Sequence, residues 1–310
     1  MKSLTFKFDT SEDVKIFVHK WLPESDIKAV VQISHGMAEH SARYQQFAEY
    51  LTKAGFAVYA NDHRGHGKTV EFIEKQGFFS DKDGWIKVVD DMKKLTDIIK
   101  TENPDKPIYI FAHSMGSLLT RTYICKYPNE VNGIILSGTS GESGLLVKAG
   151  KLMSKLLGIF YNPKTPSNLL DNMSFGKFNS FFKPNRTKFD WLSRDNENVD
   201  KYIADPFCGA IFSNRFFYDL SWGVDNNNQI KNILLISKKL PMLFISGEKD
   251  PVGGFTEGVK KVVETYKSVG IKDIELKFYT NARHEIVNET NRTEVFADVI
   301  EWINKHLVKV

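Results

Sequence analysis

The stretch Ile108-Tyr109-Ile110-Phe111-Ala112-His113-Ser114-Met115-Gly116-Ser117-Leu118-Leu119 decides the fold of this chain. Apolar and aromatic residues lead into Ser114, small residues stand two positions before and after it, and an apolar-periodic segment follows. This order predicts a strand, a sharp turn and a helix. Small flanking residues let the turn pinch and leave the serine hydroxyl exposed at the carboxyl end of the strand, as in the pattern Gly-x-Ser-x-Gly. Ala112 replaces the first glycine, and an ordinary strand-to-helix connection is the alternative for this motif alone.

Segments on both sides of this turn alternate between strand and helix patterns. Further strands are predicted at 4–9, 14–21, 29–34, 56–60, 131–137, 241–247 and 274–279. Helices are predicted at 44–54, 85–99, 258–269 and 294–306, besides the one that follows Ser114. The first two strands are close enough to pair as a hairpin. The rest indicate an α/β fold with a mostly parallel central sheet, covered by helices on both faces.

The alternation of strand and helix patterns stops after Gly138 and resumes at Pro241. The interval has helical patches, is rich in Asn, Phe and Lys, and contains no convincing parallel strand. We therefore expect a core formed by residues 1–139 and 240–310, with a mainly helical cap inserted at 140–239.

Composition narrows the class of protein. The chain has 310 residues, 42% of them hydrophobic and 13% aromatic, which argues against disorder. A net charge of +4 without a block of basic residues does not indicate a nucleic-acid-binding surface.

Residues 1–9 alternate polar and apolar side chains, unlike a signal peptide, and no apolar run reaches membrane-spanning length. The cysteines, Cys125 and Cys208, lie far apart in sequence, so a reducing cytoplasm is the expected location. The oligomeric state stays open.

Reactive residues follow several of the predicted strands. Ligands of an open parallel sheet bind beyond the carboxyl ends of its strands. Ser114, Asp250 and His284 each come directly after a strand, in the chain order nucleophile, acid, base. A serine hydroxyl needs a base to take its proton and a carboxylate to orient that base. The alternatives are a turn aspartate before Pro251 and an ordinary buried or surface histidine.

Backbone amides are expected to bind the oxyanion. The residue after the nucleophile, Met115, supplies one N–H, and Met37 in the loop after the 29–34 strand supplies the other. Gly36 gives that loop the freedom to aim the Met37 amide. His35, Gly36 and His113 are expected near the substrate, and His113 is expected to pack beside the turn.

His63 and His66 could suggest a metal, because both lie in one short loop. The surrounding sequence offers no third and fourth ligand at a recognisable spacing. We therefore expect no metal and no other cofactor.

Several motifs resemble one branch of the α/β-hydrolases, that of monoacylglycerol lipases and lysophospholipases. They are His-Gly-Met-Ala-Glu-His-Ser-Ala-Arg-Tyr at 35–44, Asn-Asp-His-Arg-Gly-His-Gly at 61–67, Ala-His-Ser-Met-Gly at 112–116, Ser-Gly-Glu-Lys-Asp-Pro-Val at 246–252, and the cap segments at 191–195 and 202–206. The resemblance implies the same triad and the same oxyanion amides. Ala112 and Ala38 depart from the family, which often has glycine at both positions, and Ala38 stiffens the oxyanion loop.

These observations predict a cofactor-free serine hydrolase that cleaves the carboxylic ester of a lipid-like substrate, of the monoacylglycerol or lysophospholipid type, through an acyl-enzyme. The alternatives are a peptidase or short-chain esterase of the same fold, because fold and triad do not fix the substrate. A non-catalytic ligand-binding protein that kept the pocket is a third possibility.

The cap carries two hints about the substrate. Aromatic residues are dense between Phe160 and Trp222, and those that do not pack the cap onto the core would suit a fatty acyl chain. Between Leu145 and Phe160, apolar residues fall on one side of a helical wheel, beside a stripe formed by Lys148, Lys151 and Lys155. This helix either packs on the core or contacts a membrane surface with its apolar face. The second reading adds membrane association to the expected cytoplasmic location.

Overall fold

An eight-stranded sheet forms the centre of the computed structural model, which describes residues 1–10, 12, 14–141 and 162–307. The strands are β1 (Lys2–Asp9), β2 (Lys15–Leu22), β3 (Ala29–Ser34), β4 (Phe56–Asn61), β5 (Ile108–His113), β6 (Gly133–Ser137), β7 (Met242–Gly247) and β8 (Ile274–Tyr279). Their order across the sheet is β1-β2-β4-β3-β5-β6-β7-β8. β2 pairs antiparallel with β1 and β4, and all other pairs are parallel.

Helices cover both faces of this sheet, as the alternating sequence pattern predicts. The core helices are α1 (Gln45–Lys53), α2 (Gly84–Glu102), α3 (Met115–Lys126), α8 (Glu257–Ser268) and α9 (Arg292–Lys305). α1 and α9 pack on one face, while α2, α3 and α8 pack on the other. Neighbouring residues of a strand serve opposite faces, so Ile110 of β5 joins one apolar cluster and Phe111 the other. The predicted fold class is confirmed.

The predicted element boundaries differ from the structure by a few residues. β6 begins at Gly133, two residues later than the apolar run at 131–137, and Asn132 is hydrogen-bonded to Ile108, the first residue of β5. The Asn132 side-chain oxygen accepts the Ile108 N–H at 2.8 Å, and the Asn132 N–H donates to the Ile108 oxygen at 2.7 Å.

The described residues between β6 and β7 contain helices and no strand of the sheet. These helices are α4 (Asn168–Phe175), α5 (Asn196–Ala204), α6 (Asn214–Asn227) and α7 (Ile230–Ile233). Their composition agrees with the expected helical cap, while its limits at 140 and 239 stay a prediction. The amphipathic helix expected at 145–160 lies outside the described residues. Within the described ranges, no helix is long and apolar enough to cross a membrane.

The turn between β5 and α3 is pinched, as the opening motif predicts. Ser114 adopts φ 50° and ψ −118°, a backbone region that non-glycine residues rarely occupy. A Cβ atom at Gly116 would overlap the backbone oxygen of Ser34 at the end of β3. Ala112 is fully buried, so its extra methyl group is accommodated in the core. The turn therefore needs glycine after the serine but accepts alanine before it.

Gly116→Ala should lower the free energy of unfolding by about 1–3 kcal/mol, because overlap with a strand backbone forces α3 away from β3. Helix propensity alone predicts the opposite sign, a gain of about 0.5–1 kcal/mol. Urea unfolding measures the difference. Gly258→Ala is a graded comparison, since Gly258 is also the second residue of its helix and a Cβ there would lie 2.9 Å from the nearest backbone oxygen, a milder overlap than at Gly116, so its loss of stability should be smaller. A Gly116→Ala protein as stable as the parent would contradict the packing described here.

Candidate active site

Three side chains form a hydrogen-bonded row beyond the carboxyl ends of β5, β7 and β8. Ser114 Oγ lies 2.9 Å from His284 Nε2, and His284 Nδ1 lies 3.0 Å from Asp250 Oδ2. The structure thus brings together the three residues that the sequence singles out. Their roles in a reaction stay a prediction, but the arrangement suits proton transfer from a serine hydroxyl to an oriented imidazole.

Asp250 is a fully buried carboxylate that orients His284. Burial alone would raise its pKa, but the charge and hydrogen bond of His284 lower the pKa below the usual aspartate value. Oδ1 accepts the Val252 N–H at 2.9 Å, and the Ser246 hydroxyl lies 3.3 Å from Oδ2. An ionised Asp250 accepts a hydrogen bond from the His284 Nδ1–H, which leaves Nε2 unprotonated and able to accept the hydroxyl proton of Ser114.

The pKa of His284 is raised above its ordinary value by competing effects. Burial disfavours the imidazolium, but the charge of Asp250 and its hydrogen bond outweigh burial, and the charges of Glu285 and Glu39 add to them. Glu248, the other carboxylate near Asp250 in sequence, bonds the Asn281 N–H at 3.2 Å instead. The structure therefore favours Asp250 over Glu248 as the partner of His284.

The two predicted oxyanion amides belong to segments next to Ser114. Met115 is the first residue of α3, a position where the N–H has no partner within the helix. Met37 follows Gly36, whose Cβ, if present, would lie 3.3 Å from Ser114 Cβ. Ala38 adopts φ 54°, so the loop keeps a glycine-like conformation despite the alanine, at a cost of about 1–2 kcal/mol. The oxyanion roles stay predictions.

His35 and His113 are both buried beneath the loops that form the site. His35 Nε2 accepts the His63 N–H at 3.0 Å, so its proton is on Nδ1 and is donated to the Gly36 oxygen at 2.7 Å. The His113 ring packs 4.6 Å from that of His284, beside the turn as expected. Burial lowers the pKa of both residues to about 3. Both are thus neutral supports of the loops, and their predicted contact with substrate, like that of Gly36, stays a prediction.

His63 and His66 take part in the same buried layer. Ser34 Oγ lies 3.1 Å from His63 Nε2, and His66 Nδ1 lies 2.9 Å from the Arg64 oxygen. Among the described residues, the groups spaced to hold a metal ion lie elsewhere: His40 with Asp205 and Cys208, and Asp273 with Glu275 and His306. His63 and His66 are thus engaged in holding the loops after β3 and β4.

Sequence reasoning missed a buried ionic network beside the triad. Arg43 Nη1 lies 2.7 Å from Glu39 Oε2, and its two terminal nitrogens lie 2.7 and 2.6 Å from the two oxygens of Glu285. A signal was present, because Glu39 and Arg43 are four residues apart and Glu285 directly follows His284. Their meeting across the fold could not be inferred from that spacing.

A cap segment also contacts the loop of His284. The ring of Trp191 lies 5.2 Å from the ring of His284. The Glu285 N–H donates to the Leu192 oxygen at 2.7 Å, and Ser193 Oγ donates to the Asn288 oxygen at 2.9 Å. The cap thus helps to form the site instead of merely covering it.

Comparisons with known proteins find similar sequences and folds over nearly the whole chain. The model of the family described as serine aminopeptidase, S33 matches residues 25–291. The chain is 30% identical to a monoacylglycerol lipase of Mycolicibacterium smegmatis, over 95% of this chain and 94% of that protein. It is 26% identical to the monoglyceride lipase of Mus musculus, over 94% of this chain and 88% of that protein. The crystal structure of a thermostable carboxyl esterase from Bacillus coagulans, in complex with glycerol, superposes with a TM-score of 0.92 at 28% identity, covering 99% of this chain and 100% of that one.

Asp250→Asn should lower kcat by about 10⁴-fold, because an amide cannot hold His284 in the productive tautomer. In the parent protein, kcat/KM should fall as acid protonates His284, with a midpoint above the ordinary histidine value of about 6.5. Residual activity of Asp250→Asn should persist to lower pH, since the charge that raises this pKa is gone. A pH series of ester hydrolysis measures both effects.

Glu248→Gln is the control, and it should leave the rate and the pH midpoint nearly unchanged. A large loss in Glu248→Gln with near-parent activity in Asp250→Asn would overturn the assignment of Asp250.

Proposed function

We propose that this chain, which belongs to the serine aminopeptidase, S33 family, is a serine hydrolase. Its proposed substrate is the carboxylic ester of a lipid-like molecule, of the monoacylglycerol or lysophospholipid type. The observation that carries this proposal is the row from Ser114 through His284 to Asp250, with separations of 2.9 and 3.0 Å. It supplies a nucleophile, a base and a buried orienting carboxylate in one chain.

The reaction then runs in two halves through an acyl-enzyme. Ser114 Oγ attacks the ester carbonyl while His284 Nε2 takes the hydroxyl proton, and the N–H groups of Met37 and Met115 bind the resulting oxyanion. When the tetrahedral intermediate collapses, the ester C–O bond breaks and His284 gives the proton to the leaving alcohol. Water, deprotonated by His284, attacks the acyl-serine, and collapse of the second intermediate returns the proton to Ser114 and releases the fatty acid.

An aromatic row in the cap favours an apolar acyl group. Ring centroids lie 5.8 Å apart for Phe175 and Phe178, 5.3 Å for Phe178 and Trp191, and 5.2 Å for Trp191 and His284. The first three of these side chains are only partly buried, so they offer apolar surface that ends at the catalytic base. Other cap aromatics, Phe212, Phe216 and Phe217, are buried in the core and are not available to a substrate.

The family description raises aminopeptidase activity as a second candidate. Such an enzyme needs a free carboxylate to bind the ammonium group of its substrate. Asp250 is engaged by His284, while Glu39 and Glu285 are engaged by Arg43. Among the residues that the structure describes, these carboxylates beside the triad are already hydrogen-bonded to His284 or Arg43, so the site favours an uncharged ester over an amino-terminal peptide.

Ser114→Ala should stay folded and lose ester hydrolysis, leaving only the roughly 10³- to 10⁴-fold acceleration over water that oxyanion binding and substrate binding give without a triad. The assay is fatty-acid release from monoacylglycerols and lysophospholipids of increasing acyl length, with an aminoacyl amide as the peptidase substrate. A fluorophosphonate probe should label the parent protein and not Ser114→Ala.

Ser117→Ala is the matched control, because Ser117 is a neighbouring serine that donates to the Ser114 oxygen at 2.6 Å. It should still be labelled. An unlabelled parent protein would favour the non-catalytic binding protein, and faster cleavage of the aminoacyl amide than of every ester would favour the peptidase.

We propose further that this protein is cytoplasmic and meets its substrate at a membrane surface through the amphipathic segment at 145–160. Outside that segment, Leu169 and Met173 lie one turn apart on α4 with 53% and 54% of their surface exposed. Apolar side chains exposed at helical spacing suit an interface between water and lipid. Lysines 148, 151 and 155 would then face anionic head groups.

Leu152→Glu combined with Leu156→Glu should abolish co-sedimentation with anionic liposomes. It should also slow hydrolysis of long-chain monoacylglycerols while sparing a short soluble ester. Phe72→Glu, a charge introduced at an exposed apolar residue outside the cap, is the control and should still co-sediment. Unchanged co-sedimentation of the double variant, or equal loss on both substrates, would contradict the membrane proposal.

A further inference from the structure

We propose that Arg43 is a positioning residue that fastens the loop of the oxyanion amide Met37 to the loop of the base His284. Its guanidinium binds Glu39 at the first loop and Glu285 at the second, at 2.6–2.7 Å. We call Glu39, Arg43 and Glu285 the clamp. This inference rests on the proposed function, since it concerns the geometry of the same ester-cleaving site.

On the oxyanion side, the clamp fixes the backbone of the loop after β3. Glu39 Oε1 accepts the Gly36 N–H at 2.6 Å and the Tyr44 hydroxyl at 2.8 Å, while Oε2 faces Arg43. Gly36 lies against Ser114, and Met37 is the next residue. Holding the Gly36 amide therefore limits how far the Met37 N–H can turn from the position where an oxyanion forms.

On the histidine side, the clamp holds the residue that directly follows the base. Glu285 accepts two hydrogen bonds from Arg43 and one from Asn288 Nδ2 at 3.0 Å. Its own N–H donates to the cap residue Leu192. A paired, two-point contact between guanidinium and carboxylate fixes orientation as well as distance. Arg43 and Glu285 are 242 positions apart in sequence, so this contact joins the first and last parts of the chain.

All three members of the clamp are shielded from water. The side chains of Glu39, Arg43 and Glu285 are 3%, 11% and 5% exposed, and the ring of Tyr202 lies 4.8 Å from the guanidinium carbon. Buried charges of this kind are costly unless each is paired. Two carboxylates share one guanidinium here, and burial raises the pKa of Glu39 although the charge of Arg43 opposes this effect. Glu285, which Arg43 binds through both oxygens, keeps its negative charge beside the base.

The charge of Glu285 also acts on His284. Within the described part of the chain, the charges that act on His284 are those of Asp250, Glu285 and Glu39, and the ring of His113 packs against its ring. Glu285 stays ionised, because Arg43 outweighs burial and lowers its pKa to about 2. The charges of Glu285 and Glu39 help to raise the pKa of His284, after the larger effects of burial and Asp250. Neutralising Glu285 should therefore lower the pKa of the base, whereas a residue of purely structural value would leave it unchanged.

Arg43→Lys tests the geometry, because lysine keeps the positive charge but cannot bind both oxygens of Glu285 in a planar fork. With a short soluble ester, kcat should fall about 10- to 100-fold, as expected for a small misplacement of catalytic groups. KM should change less than about two-fold, because the misplaced amide acts in the transition state. The pH midpoint of kcat/KM should stay near that of the parent.

Arg64→Lys is the matched control. Arg64 is also buried and also binds two carboxylates, Asp91 at 2.6 and 3.2 Å and Glu12 at 2.7 Å, but these partners belong to neither loop. It should lose stability comparably in urea unfolding and keep the parent kcat. Equal kcat values for Arg43→Lys and Arg64→Lys would overturn the proposal.

Glu285→Gln tests the charge and serves if Arg43→Lys fails to fold. The acid limb of its kcat/KM profile should move to lower pH, and an unmoved limb would contradict the proposal.

The behaviour of the parent protein distinguishes failure of this inference from failure of the proposed function. A parent that cleaves no ester and takes no fluorophosphonate label refutes the function, whereas an active, labelled parent with unaffected clamp variants refutes only the clamp.

Discussion

The sharp turn at Ser114 is the constraint on which the rest of the structure depends. A serine at φ 50° between β5 and α3 is strained, and it persists because both flanking elements are fixed. β5 is buried between β3 and β6, and α3 begins so close to β3 that Gly116 admits no side chain. This conformation places the Ser114 hydroxyl beyond the carboxyl end of β5, where the loops after β7 and β8 can reach it.

Those loops come from distant parts of the chain, and ionic contacts hold them in position relative to one another. Asp250 fixes one side of His284, and Glu285 ties the other side to Arg43 and so to Glu39. The cap adds backbone hydrogen bonds from the Trp191–Ser193 segment. His284 is therefore held by three elements at once, which suits its proposed role as the base that accepts and returns a proton.

Much of the fold could be predicted because strands buried on both faces are continuous apolar runs. β3, which is buried throughout, matches its predicted bounds, as does the partly buried edge strand β8, and the fold class and family resemblance are confirmed. Ser114, Asp250 and His284 could be selected because each follows a strand in the order that the fold requires. Arg43, Glu39 and Glu285 could not be joined, because pairing across 242 residues leaves no local pattern. The sequence marks Trp191 as part of a family motif and as one of the dense cap aromatics, but its contact with His284 depends on tertiary packing.

The central claim is that Ser114 carries the acyl group between the two halves of the reaction. The most direct measurement is peptide mass spectrometry after rapid acid quench of the parent protein with a para-nitrophenyl ester. The account predicts a burst of about one equivalent of nitrophenol per protein, with the acyl mass on the peptide that contains Ser114. Hydrolysis without a burst and without acyl mass at Ser114, or acyl mass on another residue, would contradict it.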